Sequence, residues 1–216
     1  RSSGPEGASG VGGPLRGSQA RGGGGSEYVD EAISVVFGAH NITIANCRFE
    51  AWEKVMLMGN GDAPGEVDEA ISVTIHHNIF IDTGRRHPRG RYGTFDVYNN
   101  DYMQWSMFDW VGPPEWHISH GAKCESGCRM ILEANNYERH WSPQDLLSTA
   151  NFASICEKQG YMDNRGGHWI APETDVDLRF DTRCLDLSMA RPYGVNLDES
   201  GPVLREMLLE GAGNSL

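Results

Sequence analysis

Four nine-residue segments of this chain can be written one above another. They are Asn41-Ile-Thr-Ile-Ala-Asn-Cys-Arg-Phe49, Ser72-Val-Thr-Ile-His-His-Asn-Ile-Phe80, Thr94-Phe-Asp-Val-Tyr-Asn-Asn-Asp-Tyr102 and Arg129-Met-Ile-Leu-Glu-Ala-Asn-Asn-Tyr137. The fourth position is always aliphatic (Ile44, Ile75, Val97, Leu132) and the ninth always aromatic (Phe49, Phe80, Tyr102, Tyr137). The seventh reads Cys47, Asn78, Asn100, Asn135. The aromatic positions fall 31, 22 and 35 residues apart, so the pattern holds while the length between copies varies. That combination points to a solenoid whose coils share one strand–turn corner and carry loops of different length elsewhere. Asn suits such a corner because it tolerates the left-handed backbone, and amides stacked coil on coil can hydrogen-bond along the pile. A β-sandwich would instead require regular hairpin turns. Asn60-Gly61 is the single dipeptide of that kind, and it opens a long loop. The expectation is therefore an all-β parallel β-helix.

The flanks read differently. Residues 1–26 hold ten glycines and only four apolar side chains, Ala8, Val11, Leu15 and Ala20. Such a segment cannot bury enough surface to offset chain entropy and is expected to be a disordered tail. Residues 27–216 then form one domain. After Tyr137 the repeat fades into loops, with short helices expected over Pro143–Ala150 and Phe152–Glu157. Ser200-Gly-Pro-Val-Leu-Arg-Glu-Met-Leu-Leu-Glu-Gly211 has a cap, Pro at its start and Gly at its end, the pattern of a terminal helix placed to cover the open end of a solenoid. There is no charged-then-apolar leader and no apolar run of the roughly 20 residues that cross a bilayer.

Formal net charge is -12, yet Arg85-Arg86-His-Pro-Arg89-Gly-Arg91 places four arginines in seven residues. A basic knot in an acidic chain concentrates positive potential at one spot, as binding a row of carboxylates requires. Pro88 stiffens the segment, so that Arg86 and Arg91 stand at a fixed separation. The acidic balance elsewhere argues against a nucleic-acid partner.

The motifs Lys54-Val-Met-Leu-Met-Gly59, Val73-Thr-Ile-His-His-Asn78, Arg86-His-Pro-Arg-Gly-Arg91 and Val97-Tyr-Asn-Asn-Asp-Tyr102, in this order, resemble polysaccharide lyase family 1, the pectate and pectin lyases. The resemblance covers roughly Asp30 to Tyr137, with Pro192-Tyr-Gly-Val-Asn-Leu-Asp198 and the last helix resembling the family's C-terminal end. It implies a right-handed parallel β-helix that is secreted, monomeric and active on pectic polysaccharide (polygalacturonate). The implied chemistry is β-elimination: a base takes the C5 proton of a uronate, and the C4 glycosidic oxygen leaves. Charge developing on the carboxylate then needs cations beside it. By resemblance, Arg86 is the base, and Lys54 and Arg91 bind substrate carboxylates. Arginine's very high intrinsic pKa demands nearby cations to favour its neutral form.

Calcium is the implied cofactor, held by hard oxygen donors from neighbouring coils. Asp30 aligns with one such carboxylate, but Ser34 stands where a second is expected, with Glu31 as partial compensation. A further ligand belongs to a coil upstream, where this sequence has its Gly-rich tail, so the early coils are expected to be missing. Three readings follow: calcium enters only with substrate, the enzyme is of the calcium-independent pectin lyase type, or the chain is a non-productive carbohydrate-binding β-helix. A hydrolase on the same fold would need a carboxylate pair flanking the bond, and no motif marks one.

His76, His77 and His87 lie near the knot, but neighbouring residues of a strand point to opposite faces, so core or turn roles are expected. His120, Cys124 and Cys128 loosely evoke zinc without an evident fourth ligand. In a secreted lyase the reading for Cys124–Cys128 is a local disulfide, with Cys156–Cys184 a second and Cys47 the odd thiol. Trp105, Trp110 and Trp116 would stack on sugar rings if exposed and belong to the core if packed.

Overall fold

The computed structural model describes residues 14–16, 31–52, 54–61, 68–105, 121–139, 155–157, 160–165, 167–169, 190–191 and 193–213. In chain order its strands are β1 (Pro14–Arg16), β2 (Ile33–Val35), β3 (Ile42–Ala45), β4 (Arg48–Glu50), β5 (Met56–Met58), β6 (Ser72–His76), β7 (Ile79–Ile81) and β8 (Arg89–Arg91). They continue as β9 (Thr94–Tyr98), β10 (Asp101–Trp105), β11 (Lys123–Glu125), β12 (Arg129–Glu133), β13 (Asn135–Arg139), β14 (Ile155–Glu157), β15 (Tyr161–Asn164) and β16 (Gly167–Trp169). An α-helix, α1 (Pro202–Gly211), follows.

Every third strand joins the same sheet. The first sheet runs β2-β5-β8-β11-β14, the second β3-β6-β9-β12-β15 and the third β1-β4-β7-β10-β13-β16. All these pairings are parallel, and the chain winds as a right-handed parallel β-helix. The nine-residue repeat is the corner between the second and third sheets. Its fourth positions stack in register as Ile44, Ile75, Val97 and Leu132. Its ninth positions stack as rings: Phe49 on Phe80 at 5.0 Å, Phe80 on Tyr102 at 4.7 Å and Tyr102 on Tyr137 at 5.4 Å, all within 19° of parallel. These rings are almost wholly buried. Burial contributes about 1.5–3 kcal/mol for each such side chain, and offset stacking about 0.5–1.5 kcal/mol more.

The seventh position forms the expected amide ladder. Asn78 donates to the Asn100 Oδ1 through both its backbone N–H (3.1 Å) and its Nδ2 (2.9 Å). Asn100 does the same to Asn135 Oδ1 at 2.9 and 3.0 Å. The left-handed backbone, however, belongs to the sixth position: Asn46, His77, Asn99 and Ala134 all have φ between 50° and 56°. The corner thus divides the two tasks expected of one Asn. The sixth residue turns the chain and the seventh, pointing inward, satisfies the buried backbone.

Several expectations are corrected. Residues 14–16, within the segment expected to lack structure, form β1 against β4, with Leu15 opposite Phe49. A strand ladder on an open sheet edge satisfies backbone groups whatever the composition. Residues 155–157 are strand β14, with Cys156 opposite Cys124, not part of a helix. So short a helix is marginal, whereas the edge of β11 offers a complete ladder. The helix expected over Pro143–Ala150 lies outside the described residues. The repeat does not end at Tyr137 either. Tyr161–Trp169 is a fifth copy, pairing Leu132 with Asn164, Asn135 with Gly167 and Tyr137 with Trp169.

The terminal helix is capped by Gly201, with no side-chain cap from Ser200. It lies along the corner of the coils instead of across an end. Gly201 exchanges hydrogen bonds with Asn136 (2.6 and 2.9 Å), Arg205 grips Asp101 through two bonds at 2.7 and 2.8 Å, and Gly213 N–H reaches Asn46 O. Leu204 and Leu208 are its buried face.

Candidate active site

Arg89, Arg91 and Lys123 gather around Glu125 on the outer face of the first sheet. Side chains alternate along its short strands, so Met58, Gly90 and Cys124 stack inward while their neighbours face out. Gly90 has no room for a side chain, because a Cβ there would sit 2.7 Å from the Phe95 ring. Two outward rows result. Ser34, Leu57, Arg89 and Lys123 form one; Arg91 and Glu125 form the next.

Arg86 precedes β8 in a left-handed conformation, φ 67°. Its carbonyl accepts from Met56 N–H at 2.9 Å, and Arg85 O accepts from Val55 N–H at 3.0 Å. Lys54 forms a bridge with Arg85 on the next coil. The three residues expected to act together, Lys54, Arg86 and Arg91, are thereby placed on adjacent coils at the start and end of neighbouring first-sheet strands. Gly59 lets the chain pass Arg91: with φ 93°, a Cβ there would lie 2.6 Å from Arg91 O.

Arg86, Arg89 and Arg91 each have an internal carboxylate. Arg86 Nη1 pairs with Glu31 Oε1, and the Glu31 side chain is almost fully covered. Arg91 Nε donates to Glu125 Oε1 at 2.6 Å. Arg89 donates to the same oxygen through Nε (3.0 Å) and Nη2 (2.7 Å), and Lys123 Nζ stands 2.9 Å from Oε2. Burial works against ionisation of Glu125, but hydrogen bonds from Lys123, Arg91 and Arg89 outweigh it and hold the carboxyl at about 2.

Glu125 and Lys123 were not singled out from the sequence, and Arg89 was read only as part of the basic knot. The repeat aligns Arg129 with Thr94, yet Lys123 pairs with Arg89, because the turn before β12 (Ser126–Cys128) is one residue longer than the turn before β9 (Tyr92–Gly93). Counting back through the repeat therefore misplaces the strand by one. The alternating pattern Lys-Cys-Glu beneath Arg-Gly-Arg was the available signal.

Calcium does not fit the described donors. Among the described residues no three His, Cys, Asp or Glu side chains cluster to hold a metal. Ser34 is exposed beside the apolar Leu57, and Glu31 is engaged with Arg86. Asp30 lies outside the described residues.

The other candidates are structural where they are described. Cys124 and Cys128 form a disulfide, so neither thiolate is available to zinc, while His120 lies outside the described residues. The Cys156 side chain and Cys184 also lie outside them; Cys47 is buried and not disulfide-bonded. His87 is buried, with Nε2 2.9 Å from Thr83 Oγ1 and its ring edge-on to Phe80 and Tyr102. His76 and His77 do not point apart as strand neighbours would. The turn at His77 brings their Nδ1 atoms to 2.7 Å, and His77 Nε2 meets Asp198 Oδ2 at 2.7 Å. Burial first, then His77, lowers the His76 pKa to about 4. Nothing is described of the Trp105 side chain, nor of Trp110 and Trp116.

Fold and site together define a parallel β-helix with a cationic strip across three adjacent coils. The family model for pectate lyase matches residues 19–154, and the chain belongs to that family. It is 42% identical over 86 residues to the probable pectate lyase P56 of Solanum lycopersicum, covering 38% of this chain and 21% of that protein. Pectate lyase E of Dickeya chrysanthemi is 38% identical over 82 residues, covering 37% and 20% respectively. The matched segments thus span about a fifth of these curated relatives. Among solved structures, the cedar pollen allergen jun a 1 superposes with TM-score 0.63 at 22% identity, covering 87% of this chain and 51% of that one. The pectate lyase of Bacillus sp. N165, solved in complex with trigalacturonate, gives 0.61 at 20% identity, covering 88% and 54%. Both likenesses show the fold.

Proposed function

We propose that the protein is a pectate lyase that cleaves homogalacturonan by β-elimination, releasing unsaturated oligogalacturonides outside the cell as a monomer. The observation that carries this reading is the strip of Lys54, Arg86, Arg89, Arg91 and Lys123 on adjacent coils of a chain with net charge -12. Such a strip matches the regular carboxylates of a polyuronate. No helix among the described residues is long and apolar enough to cross a membrane.

In this mechanism Lys54 and Arg91 hold uronate carboxylates and stabilise the charge that grows on the one next to C5. Arg86, at the strip's entry, takes the C5 proton as the C4 oxygen departs. Its neutral form is favoured by the surrounding cations and opposed by Glu31. Calcium's place in this reading rests on Asp30 alone, and no step depends on it. Ser34, neutral where a carboxylate is expected, favours one second reading: a pectin lyase acting on methylated pectin without calcium.

The test is ultraviolet absorbance of the C4–C5 double bond, followed on polygalacturonate and on methylated pectin, with calcium and with chelator. Absorbance should rise on polygalacturonate, and Arg86→Ala should cut the rate about 100-fold or more with the fold unchanged by circular dichroism. No rise on either substrate refutes lyase action. Wild-type rates from Arg86→Ala refute the assignment of the base.

A further inference from the structure

We propose that Glu125 is a specificity-determining residue of this strip, an internal carboxylate that occupies Arg89, Arg91 and Lys123 and so limits how much anionic charge the groove accepts. The inference rests on the proposed action on homogalacturonan. A carboxylate that only tied two strands together would need one partner. Glu125 instead collects three cations from two adjacent strands, all on the outward face, and is 1% exposed because those side chains cover it. One of the three, Arg91, is a proposed holder of the substrate carboxylate. Glu125 is thus bound as a uronate would be, by charge-assisted hydrogen bonds from guanidinium and ammonium groups. It takes one unit of positive charge out of the set while leaving the remainder in place.

The same geometry orders these cations. Each of the two arginines is tied to Oε1, Arg89 through two bonds, and Lys123 meets Oε2, so the three heads form a fan around one fixed centre. An anionic ligand meets a pre-positioned surface of reduced net charge. That arrangement accepts a chain whose carboxylates are partly esterified, where a naked triple cation would select for the fully ionised polymer.

Glu125→Gln keeps the size and an acceptor oxygen and removes the charge. Binding of polygalacturonate, measured calorimetrically at low salt, should tighten roughly three- to tenfold, with a steeper salt dependence. Binding of highly methyl-esterified pectin should be unchanged. In turnover, KM for polygalacturonate should fall while kcat holds. The double variant Glu125→Gln/Lys123→Gln restores the original formal charge and should return the affinity to that of the unmodified protein. Circular dichroism and melting temperature establish that each variant is folded.

Equal affinity of wild type and Glu125→Gln for polygalacturonate overturns the role of Glu125 and leaves the substrate reading standing. So does a double variant that binds as tightly as the single one, because the tightening then does not come from the charge that Glu125 cancels. Binding of neither polymer by either protein refutes the substrate reading and this inference with it.

Discussion

Replacing Asn100 by Ala removes the centre of the amide ladder. The Asn100 side chain makes five hydrogen bonds at 2.9–3.1 Å: it accepts from Asn78 N–H and Nδ2, and it donates to Ile75 O, Tyr98 O and Asn135 Oδ1. Nothing replaces them, because the site is fully buried. Asn135 Oδ1 keeps its bond from the Asn100 backbone N–H, and Asn78 Nδ2 keeps Ile44 O. The Asn78 N–H loses this acceptor outright. An orphaned buried donor costs about 1–3 kcal/mol, and the remaining lost bonds about 0.5–1.5 kcal/mol each before relaxation. The expected destabilisation is about 3–5 kcal/mol, or roughly 10 °C in melting temperature for a domain of this size. Urea unfolding followed by circular dichroism measures it, with Thr43→Ala on the exposed side of β3 as the control, expected within about 0.5 kcal/mol. If Asn100→Ala unfolds at the same urea concentration as the control, the ladder is not what holds the corner.

Two further outcomes concern charge. Arg205→Ala should cost about 3–5 kcal/mol, since it leaves the wholly buried Asp101 without its bidentate partner. Faster hydrogen exchange across Pro202–Gly211 would show the helix loosened, and unchanged exchange would refute its anchoring by this pair. Acid unfolding tests Glu125, whose carboxyl is held at about 2 against an ordinary 4.5. A depressed carboxyl pKa contributes fully above the ordinary value and loses its contribution as pH falls through the depressed one. Wild type should therefore exceed Glu125→Gln by up to about 3 kcal/mol near neutral pH, the gap closing as pH falls toward about 2. A gap independent of pH would refute the linkage.

The corner of the solenoid was readable in sequence because it repeats where side chains must match across coils. An inward amide, an aliphatic and an aromatic recur at fixed offsets, whatever the loops between them do. Where those demands lapse, the reading failed. At the fifth coil Asn164 replaces the aliphatic and Gly167 the amide, a Cβ at Gly167 lying only 2.5 Å from Asn135 O. The coil persists because its ladder bonds belong to the backbone. The basic residues at Lys54, Arg86 and Arg91 were visible as motifs. Their carboxylate partners were not, because pairing across coils depends on turn length, which shifts the register of β11 by one residue.

Those partners change what the site must do. An arginine that is to take a proton has first to give one up, and a buried carboxylate beside it stabilises the charged form. Glu31 therefore opposes the proposed role of Arg86 as base, while Glu125 fixes the Arg91 side chain through a hydrogen bond. For the proposed β-elimination the two internal carboxylates have opposite consequences: the second pre-orders the groove, and the first must be displaced. Under the proposed mechanism, release of Arg86 from Glu31 is therefore a step that precedes proton abstraction.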